Sequence, residues 1–348
     1  ATLNNARNIV IFFIKTPFFI YIKKFLIFRL IMLITLDRDI KNLHGIFEPY
    51  FSVQYLNSND ISKENLKDSE VLIVRSTRKY GAETLLGTNV RFIGTVTSGF
   101  EHIDTDFCEK NGIFWTTAHG SNARSVAEYV SAALVEISKK INLPLNELML
   151  GIVGVGAVGS EVKKEAEKFG MRLLLCDPPK NLNDNIFDAD IITLHTPLEK
   201  GGKYPTWHLA NEEFFRKMKK GAWLINAARG AVCSSEALRQ TLRSKHLGGA
   251  VIDVWENEPN IDESLLPLIE IATPHIAGHS AEAKINAANM LIKSIGEYFN
   301  IKELKNKALP LPQDSGNGIY LIRTDDLSFR KEPKKFAEIR NGYKRIKR

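Results

Sequence analysis

The chain has 348 residues, of which 44% are hydrophobic and 25% are charged, which excludes a disordered protein and favours two globular domains over one. Three widely separated cysteines without a CxxC pair exclude a zinc ribbon, an iron–sulfur site and a disulfide framework, so we expect a reducing compartment, the cytoplasm. The net charge of +7 lies at the two ends, because residues 1–31 contribute +5, residues 330–348 contribute +7 and the body −5; we therefore expect no nucleic-acid partner.

Residues 8–36 are rich in Ile, Phe and Leu, but no uncharged run approaches the roughly 18 residues that span a bilayer. This stretch includes most of the N-terminal segment 1–31. Two interpretations stay open. The segment is a membrane-surface helix with basic flanks, or an extension that need not be native, before a domain that begins at Met32. We favour the extension, because the pattern after Met32 is complete without it, and we expect no stable membrane insertion.

After Met32, short apolar runs alternate with amphipathic stretches, a pattern typical of βαβ units and a parallel sheet. The predicted elements of this first series are strands Met32–Leu36, Val71–Val74 and Phe92–Thr95 and helices Ala82–Leu86 and Ser125–Lys140. A second series indicates another doubly wound parallel sheet. Its predicted strands are Leu148–Val153, Arg172–Cys176, Ile191–His195, Trp223–Asn226, Ala250–Val254 and Ile269–Ala272.

The C-terminal part contains less regular apolar patterning. A long helix is predicted over Ala283–Phe299, where apolar residues recur at helical spacing. Pro310 and Pro312 then break the chain. A strand over Gly318–Arg323 and a basic helix over Lys334–Arg348 follow, and we interpret the charges of this last helix as solvated.

Three glycines, Gly154, Gly156 and Gly159, have the spacing G-x-G-x-x-G between a predicted strand and a predicted helix, Ser160–Phe169. In a dinucleotide-binding turn the first glycine forms the tight bend, the second lets the backbone approach a pyrophosphate and the third lets helix and strand pack. Asp177 ends the next strand, 18 residues after Gly159. Its carboxylate can bind the ribose hydroxyls of NAD and would repel the 2′-phosphate of NADP. The alternative is a merely structural turn.

Three further segments follow strands of the second sheet, at the edge where such sheets bind ligands. They carry Arg229, Glu258 and His275. Taken singly, these are a surface arginine, an acidic loop and a buried histidine. Together they supply what hydride transfer at a 2-hydroxy acid needs: His275 exchanges the proton, Glu258 orients its ring, and Arg229 offers a planar fork to the substrate carboxylate. We expect no metal, because we find no ligand-spaced cluster.

These motifs resemble the D-isomer-specific 2-hydroxyacid dehydrogenases from about Met32 to the C-terminus. Further segments that carry the resemblance are Val74–Thr77, Gly94–Gly99, His102–Asp104, Cys176–Pro179, His195–Leu198 and His275–Gly278. The resemblance implies two Rossmann-like α/β domains. The substrate domain, 32–124 with a return helix at 281–309, would be interrupted by an NAD-binding domain at 125–280. An abbreviated α+β dimerisation domain, 310–348, would follow and form a homodimer.

The resemblance also implies the roles of single residues. Arg229 and Glu258 match active-site positions and His275 matches the proton donor. The positions that match cofactor contacts are Gly154, Gly156, Ala157, Val158, Gly159, Asp177, Thr196, Ala227, Ala228, Asp253 and Gly278. The positions that match substrate contacts are Ser76, Thr97 and His279; at His279 the similar enzymes usually carry Tyr.

The motifs are most similar to the branch of the family that oxidises 4-phospho-D-erythronate with NAD in pyridoxal 5′-phosphate biosynthesis, and this is the implied activity. Two alternatives stay open. One is a related dehydrogenase acting on glycerate or phosphoglycerate. The other is a non-catalytic NAD(H)-sensing regulator on the same scaffold, since a fold does not fix a function.

Overall fold

A computed structural model describes residues 32–312 and 320–345 of the chain, so the predicted extension 1–31 lies outside the described residues. The described chain forms two compact units. The first contains the described residues through His119 together with Ile285–Pro310, and the second contains Gly120–Lys284 and the described residues from Leu311 onward. The first unit is therefore discontinuous in sequence.

The first unit is built on a five-stranded parallel sheet with the order β2-β1-β3-β4-β5, the order of doubly wound flavodoxin-like sheets. Its strands are β1 Leu33–Asp37, β2 Ser52–Leu56, β3 Ser69–Val74, β4 Phe92–Thr95 and β5 Phe114–Thr117. Its helices are α1 Ala82–Leu85, α2 Thr105–Lys110 and most of α7, Ala281–Tyr298, with α8 Lys302–Lys305.

Helix α7 packs on the sheet of this unit through Leu291, Ile292 and Ile295, which share one apolar core with β1 and β3. Gly94 lies within β4, and a methyl group there would stand 3.0 Å from Leu291. A glycine at this position therefore lets helix and sheet approach closely.

The second unit has a seven-stranded sheet with the order β12-β11-β10-β9-β6-β7-β8, parallel except for the β7–β8 pair. Its strands are β6 Met149–Val153, β7 Arg172–Asp177, β8 Leu182–Asn183, β9 Ile191–Leu194, β10 Trp223–Asn226, β11 Gly249–Ile252 and β12 Ile271–Ala272. The strand order reverses between β6 and β9, and ligands of doubly wound sheets bind at that point, beyond the carboxyl ends of the strands.

Helices cover this second sheet, and two apolar cores pack with its strands. They are α3 Ala123–Ile141, α4 Ala157–Lys168, α5 Glu212–Lys217, α6 Ser235–Arg243, α9 Ile322–Lys331 and α10 Phe336–Gly342. Phe329 of α9 and Phe336 of α10 are fully buried in one core. The C-terminal helices are thus part of the second unit.

The predicted α/β class with two doubly wound, mainly parallel sheets is confirmed. The prediction for the C-terminal segment was wrong in part. The strand expected at Gly318–Arg323 begins outside the described residues, and from Ile322 the chain is helical. The basic helix expected at Lys334–Arg348 is a single short helix, α10, whose predicted last residues also lie outside the described range.

Three strands were not predicted: β2, β5 and β8. All three lie at or beside a sheet edge, and their residues are half-buried or exposed. A strand that is buried on both faces is a continuous apolar run, whereas a strand with residues exposed to solvent lacks one. In the part of the chain that the structure describes, no helix is long and apolar enough to cross a membrane.

Candidate active site

The glycine turn after β6 has the geometry of a dinucleotide-binding turn. Gly154 has φ +86°, and a methyl group on it would lie 2.8 Å from the His195 backbone. A methyl group on Gly159 would lie 2.0 Å from the Gly154 carbonyl oxygen, so the first turn of α4 packs directly on the bend. Gly156 is different, because nothing lies within 4 Å of its missing side chain. A side chain at this position would point into open space.

Helix α4 begins at this open side. Ala157 and Val158 are in its first turn, where backbone N–H groups have no acceptor within the helix and the helix dipole is positive. Asp177, at the end of β7, accepts a hydrogen bond from the Val155 N–H at 2.8 Å. The Lys180 ammonium is 3.9 Å from the same carboxylate oxygen.

Three buried polar atoms near the strand ends lack a hydrogen-bond partner within the described chain. They are Nδ1 of His195 and Oγ1 of Thr196, just after β9, and Oδ1 of Asn122, before α3. A methyl group on Gly278 would lie 2.4 Å from the Asn122 amide nitrogen. Buried polar groups normally have a partner, so these two oxygens, together with the open space at Gly156, fit a bound dinucleotide.

The loop after β10 holds Ala227, Ala228 and Arg229. Asn226 closes it, accepting from the Ala228 N–H at 3.1 Å and donating to the Arg229 carbonyl at 3.1 Å. The Arg229 guanidinium donates to the Ala228 carbonyl at 2.9 Å. A methyl group on Gly230 would lie 1.9 Å from the Trp255 carbonyl oxygen. This glycine therefore lets the arginine loop pack against the acidic loop that carries Glu258.

His275 and Glu258 form a hydrogen-bonded pair, with 2.7 Å between Nδ1 of the histidine and Oε2 of the glutamate. The other oxygen of Glu258 accepts from the Trp255 N–H at 2.8 Å. Burial raises the pKa of Glu258, but the charge and hydrogen bond of His275 and the Trp255 N–H outweigh burial, and the net pKa is lowered. Glu258 is therefore ionised at neutral pH.

Asp253 holds the histidine loop in place. One carboxylate oxygen accepts from the Thr273 hydroxyl at 2.7 Å and from the Ile276 N–H at 2.8 Å, and the other accepts from the Ala277 N–H at 2.9 Å. The carboxylate is 1% exposed, and this burial raises its pKa. His275 itself has φ +58°, which costs roughly 1–3 kcal/mol for a residue with a side chain and persists only where neighbours hold it.

The predicted substrate residues are distributed over both units. In the first unit, Ser76 is exposed just beyond β3, and Thr97 lies just beyond β4 and donates to the Gly99 carbonyl at 2.8 Å. In the second unit, His279 is half-buried, four residues after His275. Burial, with contributions from Arg340 and His275, lowers the pKa of His279 to about 3, so its ring is neutral.

The sequence did not reveal two features of the second unit. His208 pairs with Glu256 at 2.7 Å, so the acidic loop serves two histidines. Arg345 lies in the run that was interpreted as solvated, yet its side chain is only 4% exposed. That interpretation was wrong for Arg345, and no spacing in a predominantly basic run distinguishes a buried arginine from its exposed neighbours. Across 32–312 and 320–345, no group of His, Cys, Asp and Glu could hold a metal ion.

Comparison with known proteins gives consistent matches. Residues 122–277 match the family model described as D-isomer specific 2-hydroxyacid dehydrogenase, NAD binding domain. The erythronate-4-phosphate dehydrogenase of Bacteroides fragilis is 40% identical over 311 residues, covering 84% of this chain and 89% of the relative. The enzyme of the same name from Porphyromonas gingivalis is 41% identical over 340 residues, covering 90% and 92%.

Solved structures with the same fold include two dehydrogenases bound to NAD. The 3-phosphoglycerate dehydrogenase of Entamoeba histolytica aligns with a TM-score of 0.66 and 26% identity, covering 80% of this chain and 99% of its own. The D-lactate dehydrogenase of Aquifex aeolicus, in complex with NAD and lactic acid, aligns with a TM-score of 0.63 and 26% identity, covering 81% and 100%.

Proposed function

Because the chain belongs to the family of D-isomer-specific 2-hydroxyacid dehydrogenases, we propose that it oxidises 4-phospho-D-erythronate to (R)-3-hydroxy-2-oxo-4-phosphooxybutanoate with NAD, a step of pyridoxal 5′-phosphate biosynthesis. The relatives named erythronate-4-phosphate dehydrogenase, at 40–41% identity over most of the chain, support this substrate. The observation that carries the proposed chemistry is the hydrogen bond of 2.7 Å between His275 and an ionised Glu258.

His275 is the proposed proton acceptor of the oxidation. Because its Nδ1 atom faces a carboxylate at 2.7 Å, the ring carries its proton on that nitrogen, and Nε2 is left to take the proton of the substrate hydroxyl. The Glu258 carboxylate then stabilises the imidazolium that forms. In the reverse direction the same Nε2–H returns the proton to the carbonyl oxygen.

Arg229 is the proposed carboxylate-binding residue, because its guanidinium can donate two parallel hydrogen bonds to one carboxylate. Ser76, Thr97 and His279 are the proposed substrate contacts. Hydroxyl and imidazole groups can donate hydrogen bonds to an anion without placing a further buried charge beside it. Thr97 would do so by turning its hydroxyl away from the Gly99 carbonyl. His279 does so as a neutral ring, in keeping with its pKa of about 3.

The turn and the first helical residues would hold the cofactor, which accepts the hydride when it is bound. The proposed contacts with its phosphates are the backbone at Gly154, Gly156, Ala157, Val158 and Gly159. Asp177 would bind a ribose. The remaining proposed contacts are Thr196, Ala227, Ala228, Asp253 and Gly278. Of these, Thr196 offers a buried hydroxyl without a partner in the described chain.

The test is to add purified protein to NAD and 4-phosphoerythronate and to follow NADH absorbance. We expect turnover, and we expect His275→Ala to lower kcat by about 10²- to 10⁴-fold while NADH binding, measured by fluorescence, stays as in the wild type. Preference for glycerate or 3-phosphoglycerate would assign the protein to the related enzymes. Tight NADH binding without turnover of any of the three would favour a regulator.

We also propose that the protein acts in the cytoplasm as a homodimer, with 32–124 and 281–309 as the substrate domain and 310–348 as the dimerisation segment. The free cysteines of the described residues are consistent with a reducing compartment. Sedimentation of the purified protein at micromolar concentration measures its oligomeric state directly.

A further inference from the structure

We propose that Arg345, at the end of the described chain, is a positioning residue for His275. The proposal rests on the proposed function, in which His275 moves the proton. Arg345 does not touch the histidine ring. It binds the backbone immediately after it, and in this way fixes the direction of the imidazole.

The contacts of Arg345 converge on the histidine loop and on α3. One terminal nitrogen of the guanidinium donates to the carbonyls of Ala277 at 2.5 Å and Ile276 at 3.4 Å. The other donates to the Ser125 carbonyl at 2.8 Å and to the Glu128 carboxylate at 3.2 Å. The guanidinium also lies 4.7 Å from the centre of the Tyr320 ring. A buried, paired and stacked guanidinium has one defined geometry.

The same two residues, Ile276 and Ala277, are also held by Asp253. Its carboxylate accepts from the N–H groups of Ile276 and Ala277, while Arg345 binds their carbonyl groups. Both polar ends of this short backbone segment are therefore bound to a buried charge. His275 comes directly before it in a left-handed conformation, which a residue with a side chain adopts only where the surroundings enforce it.

A proton transfer is sensitive to the position of Nε2, because the donor and acceptor atoms must be within hydrogen-bond distance. Glu258 fixes one ring nitrogen, and the backbone fixes the point from which the side chain starts. If the Arg345 contacts are removed, Asp253 and the bond from the His279 N–H to the Ile276 carbonyl at 2.8 Å remain, but the bond to the Ala277 carbonyl is lost. The segment is then held less firmly, and the ring samples other directions. Arg345 donates to the Ala277 carbonyl, next to the proposed cofactor contact Gly278, but its hydrogen bonds do not involve the glycine turn or Asp177. We therefore expect the NADH affinity to change less than kcat.

The test compares Arg345→Ala, Arg345→Lys and, as a matched control, Arg216→Ala, which removes an exposed arginine of α5. We expect Arg345→Ala to lower kcat at least 10-fold while the Kd for NADH changes less than 3-fold. Arg345→Lys should recover part of the lost kcat, and added guanidinium ion should recover part of it in Arg345→Ala. Arg216→Ala should behave as the wild type. Unchanged kcat in Arg345→Ala would overturn the proposal, as would equal losses of kcat and NADH affinity without rescue.

Hydrogen exchange of the wild type and both Arg345 variants provides a second readout that does not depend on turnover. We expect amides in the peptide covering residues 275–278 to exchange at least 10-fold faster in Arg345→Ala, with Arg345→Lys between the two. If Arg345→Ala does not fold, the lysine variant alone decides. Wild-type exchange in that peptide overturns the positioning role, whereas an inactive wild type overturns only the proposed function.

Discussion

The His275–Glu258 pair has a close counterpart in the same acidic loop, the His208–Glu256 pair. The acidic loop carries two glutamates two positions apart, and each is 2.7 Å from a different histidine. Glu256 pairs with His208 and also accepts from the Ser235 N–H, whereas Glu258 pairs with His275. The two pairs have the same heavy-atom separation, so only their surroundings and their partners distinguish them.

This duplication provides a controlled experiment on the carboxylate. Glu258→Gln keeps the size of the side chain but removes the charge that stabilises an imidazolium at His275, and we expect kcat to fall by about 10- to 100-fold. Glu256→Gln makes the same chemical change on the other pair and should leave kcat within about threefold of the wild type. Steady-state rates with NAD and 4-phosphoerythronate give both values. A larger loss of kcat in Glu256→Gln than in Glu258→Gln would contradict the proposed role of the His275–Glu258 pair and would favour the His208–Glu256 pair.

Sequence reasoning identified Glu258 and His275 but not the details of their support. Residue types and their positions after strands were sufficient to predict a pairing of His275 with Glu258, which the structure contains; the catalytic roles of these residues and of Arg229 stay predictions. The left-handed conformation of His275, the three hydrogen bonds of Asp253 and the burial of Arg345 depend on packing between distant segments. No local pattern records such packing.

At the scale of single elements, the turn between β6 and α4 assigns different tasks to its glycines. Gly154 and Gly159 are required by close packing, since a methyl group on either would clash with backbone. Gly156 has open space in front of its missing side chain, so packing does not require a glycine there. The motif assigns Gly156 to the approach of a pyrophosphate, and this assignment stays a prediction.

Alanine at Gly159 and alanine at Gly156 should therefore affect different properties, stability in the first case and NADH binding in the second. Gly159→Ala should lower the free energy of unfolding by about 1–3 kcal/mol, because the added methyl group forces α4 away from the bend. Gly156→Ala should unfold like the wild type but bind NADH at least about 10-fold more weakly, a loss of about 1.4 kcal/mol. Urea unfolding and NADH fluorescence titration measure the two quantities. Wild-type NADH affinity in Gly156→Ala would argue against a pyrophosphate at this turn.

The predicted elements were most accurate where strands lie inside a sheet. Phe92–Thr95 and Trp223–Asn226 have the predicted bounds, and each is an apolar run flanked by turn residues. The edge strands β2 and β5 escaped prediction because solvent covers part of their surface. The C-terminal segment was predicted incorrectly in part, because charged residues dominate its sequence, whereas Phe329 and Phe336 within it are fully buried.

At the scale of the whole molecule, the free energy of unfolding should fall at acidic pH, because a buried histidine resists protonation in the folded state. Burial lowers the pKa of His102 from 6.5 to about 4, and its ring is hydrogen-bonded to the Thr95 hydroxyl at 2.9 Å. For a histidine whose pKa is lowered by folding, the stabilising contribution is complete above 6.5 and is lost as the pH falls toward 4. The pKa of Glu258 is lowered by folding, so its contribution to stability is also lost as the pH falls, in this case below pH 4.5.

We therefore expect the wild type to lose stability steeply below pH 6.5. His102→Gln keeps a hydrogen-bonding side chain but cannot titrate, and between pH 6.5 and pH 5 it should lose about 2 kcal/mol less than the wild type. His119→Gln, which replaces an exposed histidine of the same unit, is the matched control and should follow the wild type. Urea unfolding at pH 7, 6 and 5 measures the slopes. Equal slopes in His102→Gln and the wild type would contradict the assignment.

The discontinuous first unit has a consequence for the nascent polypeptide. Its sheet is complete by residue 117, but the helix that covers it, α7, is synthesised only after the whole Gly120–Lys284 segment. Folding of the second unit is also delayed, because Phe329 and Phe336, near the C-terminus, complete one of its apolar cores. Domains that fold during synthesis usually finish in order from the N-terminus. Here the first unit cannot be completed until residue 310 has been synthesised, and the second until Phe336 has been synthesised. A chaperone that binds exposed strands would therefore meet both units unfinished at the same time.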